Sequence, residues 1–269
     1  MHKITEEPPA HDRLEEKTVP ELLQLMNAGD QGVAKAVERA LPQITRLVEA
    51  IVPGMEAGGR LFYIGSGTSG RLGILDAAEC PPTFGVPPGW VIGLIAGGDT
   101  AIRKAVEAAE DDRHQAWADL EAYLPTPQDT VIGLSASGTT PYAVGGVEDA
   151  RKNGLLTGCI TCNPGSPLAA AVQHPVEAIT GPEFITGSTR LKAGTAQKMV
   201  LNMISTAVMV RLGRVLGNKM VDMQLNNEKL IDRGTRYVAA TTGKGYREAK
   251  ALLLEAGSVR GALQQWSAE

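Results

Sequence analysis

Apolar positions change their spacing twice along this chain, and each change marks a different kind of element. Thr18-Val19-Pro20-Glu21 has the form of a capping box with proline in the first turn, which predicts a helix through Leu22, Leu23, Leu25 and Met26 ending at Gly29. Asp30 is then placed to cap a second, longer helix. Its residues Val33, Val37, Leu41, Ile44, Leu47, Val48 and Ile51 share one stripe, with a kink at Pro42 and an end at Gly58-Gly59. From Arg60 the pattern shifts to short apolar runs at 61–64, 91–96, 130–134, 156–162 and 176–180, separated by helical stretches at 69–78, 100–122, 140–153 and 166–172. Such alternation predicts an α/β fold, a parallel sheet with helices on both faces and ligands at the carboxyl ends of the strands. A long helix is expected over 191–216, then short helices broken at Gly234, Gly243-Lys244-Gly245 and Gly257. The charged, proline-rich residues 1–17 read as a loose arm. The expected division is an arm with helices over 1–57, a central α/β domain over 58–217 and a short helical segment over 218–269.

Composition narrows the class. At 269 residues and 43% hydrophobic, the chain can bury a substantial core. A net charge of −4, without basic runs, argues against nucleic acid as the main partner. The start is polar, no secretory pattern is visible, and no apolar run approaches the roughly 18 residues that a membrane span requires. A soluble, cytoplasmic protein is the expectation, with no membrane partner. Cys159 and Cys162 form a C-x-x-C, but they sit in an apolar run without a second pair. Buried thiols are therefore expected rather than a zinc or redox site. His2, His11, His114 and His174 have no ligand-like spacing, so no metal site is expected.

Candidate chemistry lies in two glycine loops rich in hydroxyls. Gly65-Ser66-Gly67-Thr68-Ser69-Gly70 follows the first strand-like run, and Ser135-Ala136-Ser137-Gly138-Thr139-Thr140 follows the third. Glycine lets the backbone approach an anion, while hydroxyls and the N–H groups of a following helix supply donors. The first loop also spells G-x-G-x-x-G. A dinucleotide site, however, needs an acid about 20 residues further on, and 86–98 contains none. Two loops of the same chemistry point instead to one phosphorylated ligand, a sugar phosphate or similar ester. Thr68, Ser69, Ser135, Ser137 and Thr140 are the expected phosphate ligands.

The stretch from Gly65 through Arg71-Leu72-Gly73-Ile74-Leu75-Asp76-Ala77-Ala78-Glu79-Cys80-Pro81-Pro82-Thr83 resembles the signature of the N-acetylmuramic acid 6-phosphate etherases. Further matches are Gly93–Gly98, Ala105–Asp111, Ser137–Tyr142 and Gly187–Lys198, and the resemblance runs over about 18–240. That family is built on a sugar isomerase domain, a flavodoxin-like three-layer sandwich around a five-stranded parallel sheet, and is related to the glucokinase regulatory proteins. The resemblance implies cleavage of the ether between sugar C3 and D-lactate, giving N-acetylglucosamine 6-phosphate in cell-wall recycling. It also implies a homodimer, no metal and no cofactor. Two glutamates carry the proton transfers, mapping to Glu79 and Glu110, and Ser188 joins the substrate-binding set. The dimer is expected to bury part of the stripe on 191–216 or on 30–57. A non-catalytic phosphosugar regulator and an aldose–ketose isomerase are the rival readings, and the presence of both glutamates favours catalysis.

Three points set this chain apart or raise a difficulty. Position 139 is Thr where the family usually carries Arg, so a guanidinium contact is expected to be missing. The residues before Thr18 match the family poorly, and the chain is expected to stop short of the family's usual last helices. Finally, a straight helix from Ser69 would carry Glu79 about 15 Å beyond the phosphate loop. Either the helix ends at the proline pair that follows, or Glu79 serves a site completed by a second subunit.

Overall fold

The computed structural model describes residues 2–268, apart from the side chain of Glu107. Five strands form one parallel sheet: β1 (Leu61–Gly65), β2 (Val91–Ile95), β3 (Thr130–Leu134), β4 (Leu156–Thr161) and β5 (His174–Glu177), in the order β2-β1-β3-β4-β5. This is the flavodoxin-like order, in which the chain reverses direction across the sheet between β1 and β3. Side chains alternate along each strand, so Leu61 and Tyr63 face one layer of helices while Phe62 and Ile64 face the other. The first layer contains α1 (Val19–Glu56), α2 (Gly67–Phe84) and α7 (Lys192–Arg211). The second contains α4 (Gln115–Glu121), α5 (Pro141–Lys152) and α6 (Pro167–Ala171). The expected three-layer sandwich is what the chain forms.

Several helix boundaries differ from expectation. The capping box is present, with Thr18 N–H donating to Glu21 at 2.8 Å. The helix it opens does not stop at Gly29; it continues as one 38-residue helix to Glu56. Once the half from Val33 to Met55 is packed on the sheet, each added residue gains a hydrogen bond without the cost of a new nucleus, which carries the exposed first half. The stretch at 100–122 is not one helix. It divides into α3 (Gly98–Arg103), a 3₁₀ turn (Glu107–Asp111) and α4. The Asp112 carboxylate accepts the N–H groups of His114 and Gln115 at 2.9 and 3.1 Å, and so starts a new helix there. α7 ends at Arg211, five residues before the expected 216, and a small hairpin follows, β6 (Val215–Leu216) and β7 (Lys219–Met220). The strand expected at 176–180 pairs two residues earlier.

The last three helices, α8 (Glu228–Thr242), α9 (Tyr246–Ala256) and α10 (Val259–Ala268), surround a small core of their own that includes Val238, Leu253 and Val259. Gly234 does not break α8; it makes room for Leu253, whose Cδ2 would lie 2.8 Å from a Cβ at that position. Gly243 and Gly257 do end helices, each with φ of +72°. The boundary expected at 217/218 falls between the two strands of the hairpin. The N-terminal residues are not a loose arm throughout. Thr5 is fully buried; its N–H donates to Asn163 Oδ1 at 3.2 Å, and the Gly187 N–H donates to its carbonyl at 3.1 Å.

Candidate active site

The two hydroxyl loops leave adjacent strands at the point where the sheet order reverses. Gly65 and Leu134, the last residues of β1 and β3, are paired in register. Gly65 has no room for a side chain: a Cβ there would meet Leu134 O at 2.9 Å and Gly70 N at 3.0 Å. The close approach of strand and helix puts the start of α2 directly over the strand end. The first N–H groups of this helix have no partner within it, since the ladder begins with Gly70 N–H to Ser66 O at 3.0 Å. Anion binding at such a helix end needs no cation.

Around the first loop the chain builds a cleft of about 330 Å³ lined by Ser66, Thr68, Arg71, Val106 and Glu110 among others. The break of the expected 100–122 helix is what brings Glu110 here. On the 3₁₀ turn its carboxylate accepts a hydrogen bond from Ser66 Oγ at 2.8 Å. Thr68 is half-buried beside Gly194, at the start of α7. Ser69 is buried and donates to Gln197 Oε1 at 2.8 Å.

The second loop is bonded mainly to itself. Ser135 Oγ lies 2.9 Å from Thr140 Oγ1 and 3.3 Å from Ser137 Oγ, and accepts the Gly138 N–H at 3.1 Å. Thr139 donates its hydroxyl to Ser137 at 3.0 Å, so the residue found in place of arginine serves the loop itself. Gly138 turns the loop with φ of +69°. Behind it, Asn163 is fully buried; its Nδ2 donates to Ala136 O and to Thr5 Oγ1, both at 3.0 Å.

Glu79 does not join this cluster. Pro81 and Pro82 do not end α2, which continues to Phe84 and terminates at Gly85 with φ of +63°. The prolines remove donors to the carbonyls of Ala77 and Ala78, but their fixed φ is compatible with a helix. Glu79 is exposed on this same helix, about 18 Å along it from Gly67 at 1.5 Å per residue. Ser188 is half-buried on the loop before α7, and no hydrogen bond joins it to either hydroxyl loop among the described residues.

Sequence reasoning missed Ser66, Gln197, Asn163 and Glu183. Ser66 lay inside the glycine motif itself. The other three carry no local pattern and take their roles from tertiary contacts. Glu183 is buried and accepts the N–H groups of Lys192 and Ala193, both at 2.9 Å, which fixes the start of α7 beside the first loop. Burial pushes its carboxyl up from the ordinary range, and those two N–H groups oppose the shift. The three cysteines are buried and free, and burial raises the Cys159 thiol to about 12. Among the described residues no cluster of histidine, cysteine and carboxylate side chains could hold a metal, and no helix is long and apolar enough to cross a membrane.

Fold and loops together define a sugar isomerase (SIS) domain. Residues 43–151 match the glucokinase regulatory protein N-terminal SIS domain, and residues 105–207 match the SIS domain. A phosphoheptose isomerase from Francisella tularensis shares the fold, with a TM-score of 0.56 at 17% identity over 72% of this chain and 99% of that one. An N-acetylmuramic acid 6-phosphate etherase from Porphyromonas gingivalis is 60% identical over 260 residues, 97% of this chain and 95% of the relative. One from Bacteroides fragilis is 58% identical over 266 residues, 99% of this chain and 95% of the relative. The chain belongs to the N-acetylmuramic acid 6-phosphate etherase family. The likeness extends through the residues before Thr18, which their sequence alone did not disclose.

Proposed function

We propose that the protein cleaves the D-lactyl ether of N-acetylmuramic acid 6-phosphate, releasing D-lactate and N-acetylglucosamine 6-phosphate as a step of cell-wall sugar recycling in the cytoplasm. The observation that carries this reading is the Glu110 carboxylate held by Ser66 in the cleft at the phosphate loop, in a chain 60% identical to an etherase. The phosphate sits at the start of α2 and is held by Thr68 and Ser69, with Ser137 and Thr140 from the neighbouring loop. Ser135 shapes the second loop, and Ser188 closes the site from the α7 side.

The chemistry asks little beyond two carboxyl groups. Opening of the pyranose exposes a C1 aldehyde that acidifies the proton on C2. A carboxylate removes that proton, and a carboxylic acid protonates the ether oxygen as lactate leaves C3. Water then adds at C3 of the unsaturated aldehyde, restoring the hydroxyl. Glu110 is one of these groups. Glu79, on a helix that leads away from the loop, is the other and acts in the site of a second copy. The apolar groove between α1 and α7, about 1070 Å³ and lined by Leu41, Val48, Met203 and Val210, is the surface that this copy covers. Residues 58–217 form the phosphosugar domain, and 1–57 and 218–269 support it.

Incubation with N-acetylmuramic acid 6-phosphate tests the reading. Lactate should appear, with deuterium from D₂O at C2 and ¹⁸O from solvent at C3. Solvent ¹⁸O in the lactate would place the cleavage at the other C–O bond and defeat the mechanism. A monomer by light scattering at micromolar concentration would defeat the shared site.

A further inference from the structure

We infer that Gln197 is a positioning residue for phosphate recognition: it turns its carboxamide to present Nε2 to Ser69, leaving the Ser69 hydroxyl free to donate to the bound phosphate. The inference rests on the assignment of Ser69 as a phosphate ligand. Gln197 is 1% exposed, on the face of α7 that meets the first loop. Its Oε1 accepts the Ser69 hydroxyl at 2.8 Å, while its Nε2 is buried and has no hydrogen-bond partner among the described residues. A buried amide donor without a partner is costly, and such groups ordinarily mark a function or a missing neighbour.

Hydrogen-bond polarity supplies the rest. A phosphate dianion only accepts, so a serine that binds it must donate to it. A hydroxyl has one proton, and here that proton is directed at Gln197. Ser69 cannot serve both acceptors at once. Rotation of the carboxamide by a half-turn resolves the conflict: Nε2 donates to Ser69 Oγ, Ser69 donates to phosphate, and Oε1 turns into the place that Nε2 leaves. Donor chains of this kind strengthen each bond in a dry site. A glutamine is suited to this work because either end of its amide can face the serine; an ionised glutamate could only accept.

The test compares Gln197→Glu and Gln197→Met in the native and Ser69→Ala backgrounds, with KM and kcat measured on N-acetylmuramic acid 6-phosphate. The expected result is a KM raised about tenfold or more by Gln197→Glu, which withdraws the serine proton from the charged phosphate, and about threefold by Gln197→Met, which leaves that proton free but unsupported. The kcat should fall less than KM rises, and both penalties should shrink in the Ser69→Ala background. A penalty of the same size with and without Ser69, or a fall confined to kcat, would overturn the inference. An unchanged KM in Ser69→Ala alone would instead overturn the phosphate assignment of Ser69. Should the glutamate variant not fold, the native protein with ¹⁵N in its glutamine side chains decides. Saturation with inorganic phosphate should shift one buried glutamine amide resonance, and should not in Ser69→Ala; no responding resonance would refute the proposal.

Discussion

The two hydroxyl loops share a Ser-Gly-Thr core, and the fold makes different things of them. The second closes on itself: Ser135, Ser137, Thr139 and Thr140 bond to one another, and Asn163 holds the loop from behind. The first makes its side-chain bonds outward, from Ser66 to Glu110 on the 3₁₀ turn and from Ser69 to Gln197 on α7. A loop bonded within itself is a rigid anchor. A loop bonded to two other elements can join binding to chemistry. Substitutions around the first loop should therefore act on kcat as well as KM, and those in the second on KM and loop stability alone.

The largest effect should come from the glutamates. Glu110→Gln and Glu79→Gln should each lower kcat by about 10²–10⁴-fold with KM little changed, because a glutamine cannot exchange the proton. Mixing the two inactive variants under conditions that exchange subunits sharpens the result. If Glu79 works across the dimer, half of the mixed population carries one intact site, and about a quarter of wild-type activity should return. No recovery would place both glutamates in one protomer's site.

Next in size is Gly138→Ala. The residue has φ of +69°, and an added Cβ would meet Ser166 Cβ and Oγ at 2.3 Å. Strain and overpacking together should cost about 2–4 kcal/mol, read as a lower Tm and a raised KM. A variant with native Tm would show that the second loop is less rigid than its hydrogen bonds indicate. Ser137→Ala should be milder, raising KM about tenfold for the loss of one bond to a charged phosphate while leaving kcat near its original value. A loss seen mainly in kcat would erase the distinction between the loops.

The smallest effect tests the opposite ends of the same strands. Asp129 is buried just before β3 and accepts from Arg60 N–H at 2.7 Å, Arg60 Nε at 3.2 Å and Thr126 N–H at 2.8 Å. Burial alone would raise its carboxyl; the hydrogen bonds and the Arg60 charge outweigh it and hold the carboxyl below the ordinary range. A lowered value in the folded state means that stability is gained above the unfolded carboxylate pKa of about 3.9 and lost as pH falls through the folded value. Asp129→Asn should therefore be less stable to urea at pH 7, with the gap closing below about pH 4 and KM untouched. A changed KM would mean that the loops sense the far end of the sheet.

Much of this was legible in the chain. Most of the strands were, because buried parallel strands are short, nearly continuous apolar runs. So were the two loops, and the switch-point order placed them side by side. The long α1 was not, since Gly29 and Asp30 look like a stop and a start but are carried by packing further along the helix. The hairpin at 215–220 was missed although Gly217-Asn218 is a usable two-residue turn, with Gly217 at φ of +60°. Gln197, Asn163 and Glu183 were invisible because a buried polar residue leaves no periodic trace. Gln197 and Asn163 also find partners far away in the chain, 128 residues for Ser69 and Gln197 and 158 for Thr5 and Asn163.

The buried Thr5 has a consequence for how the protein is made. It is synthesised ahead of every strand of the sheet, yet its hydrogen-bond partners are Asn163 and Gly187. During translation the segment around Thr5 has nowhere to dock until most of the sheet has been synthesised. The support behind the second loop is then completed by a segment made well before the residues it binds.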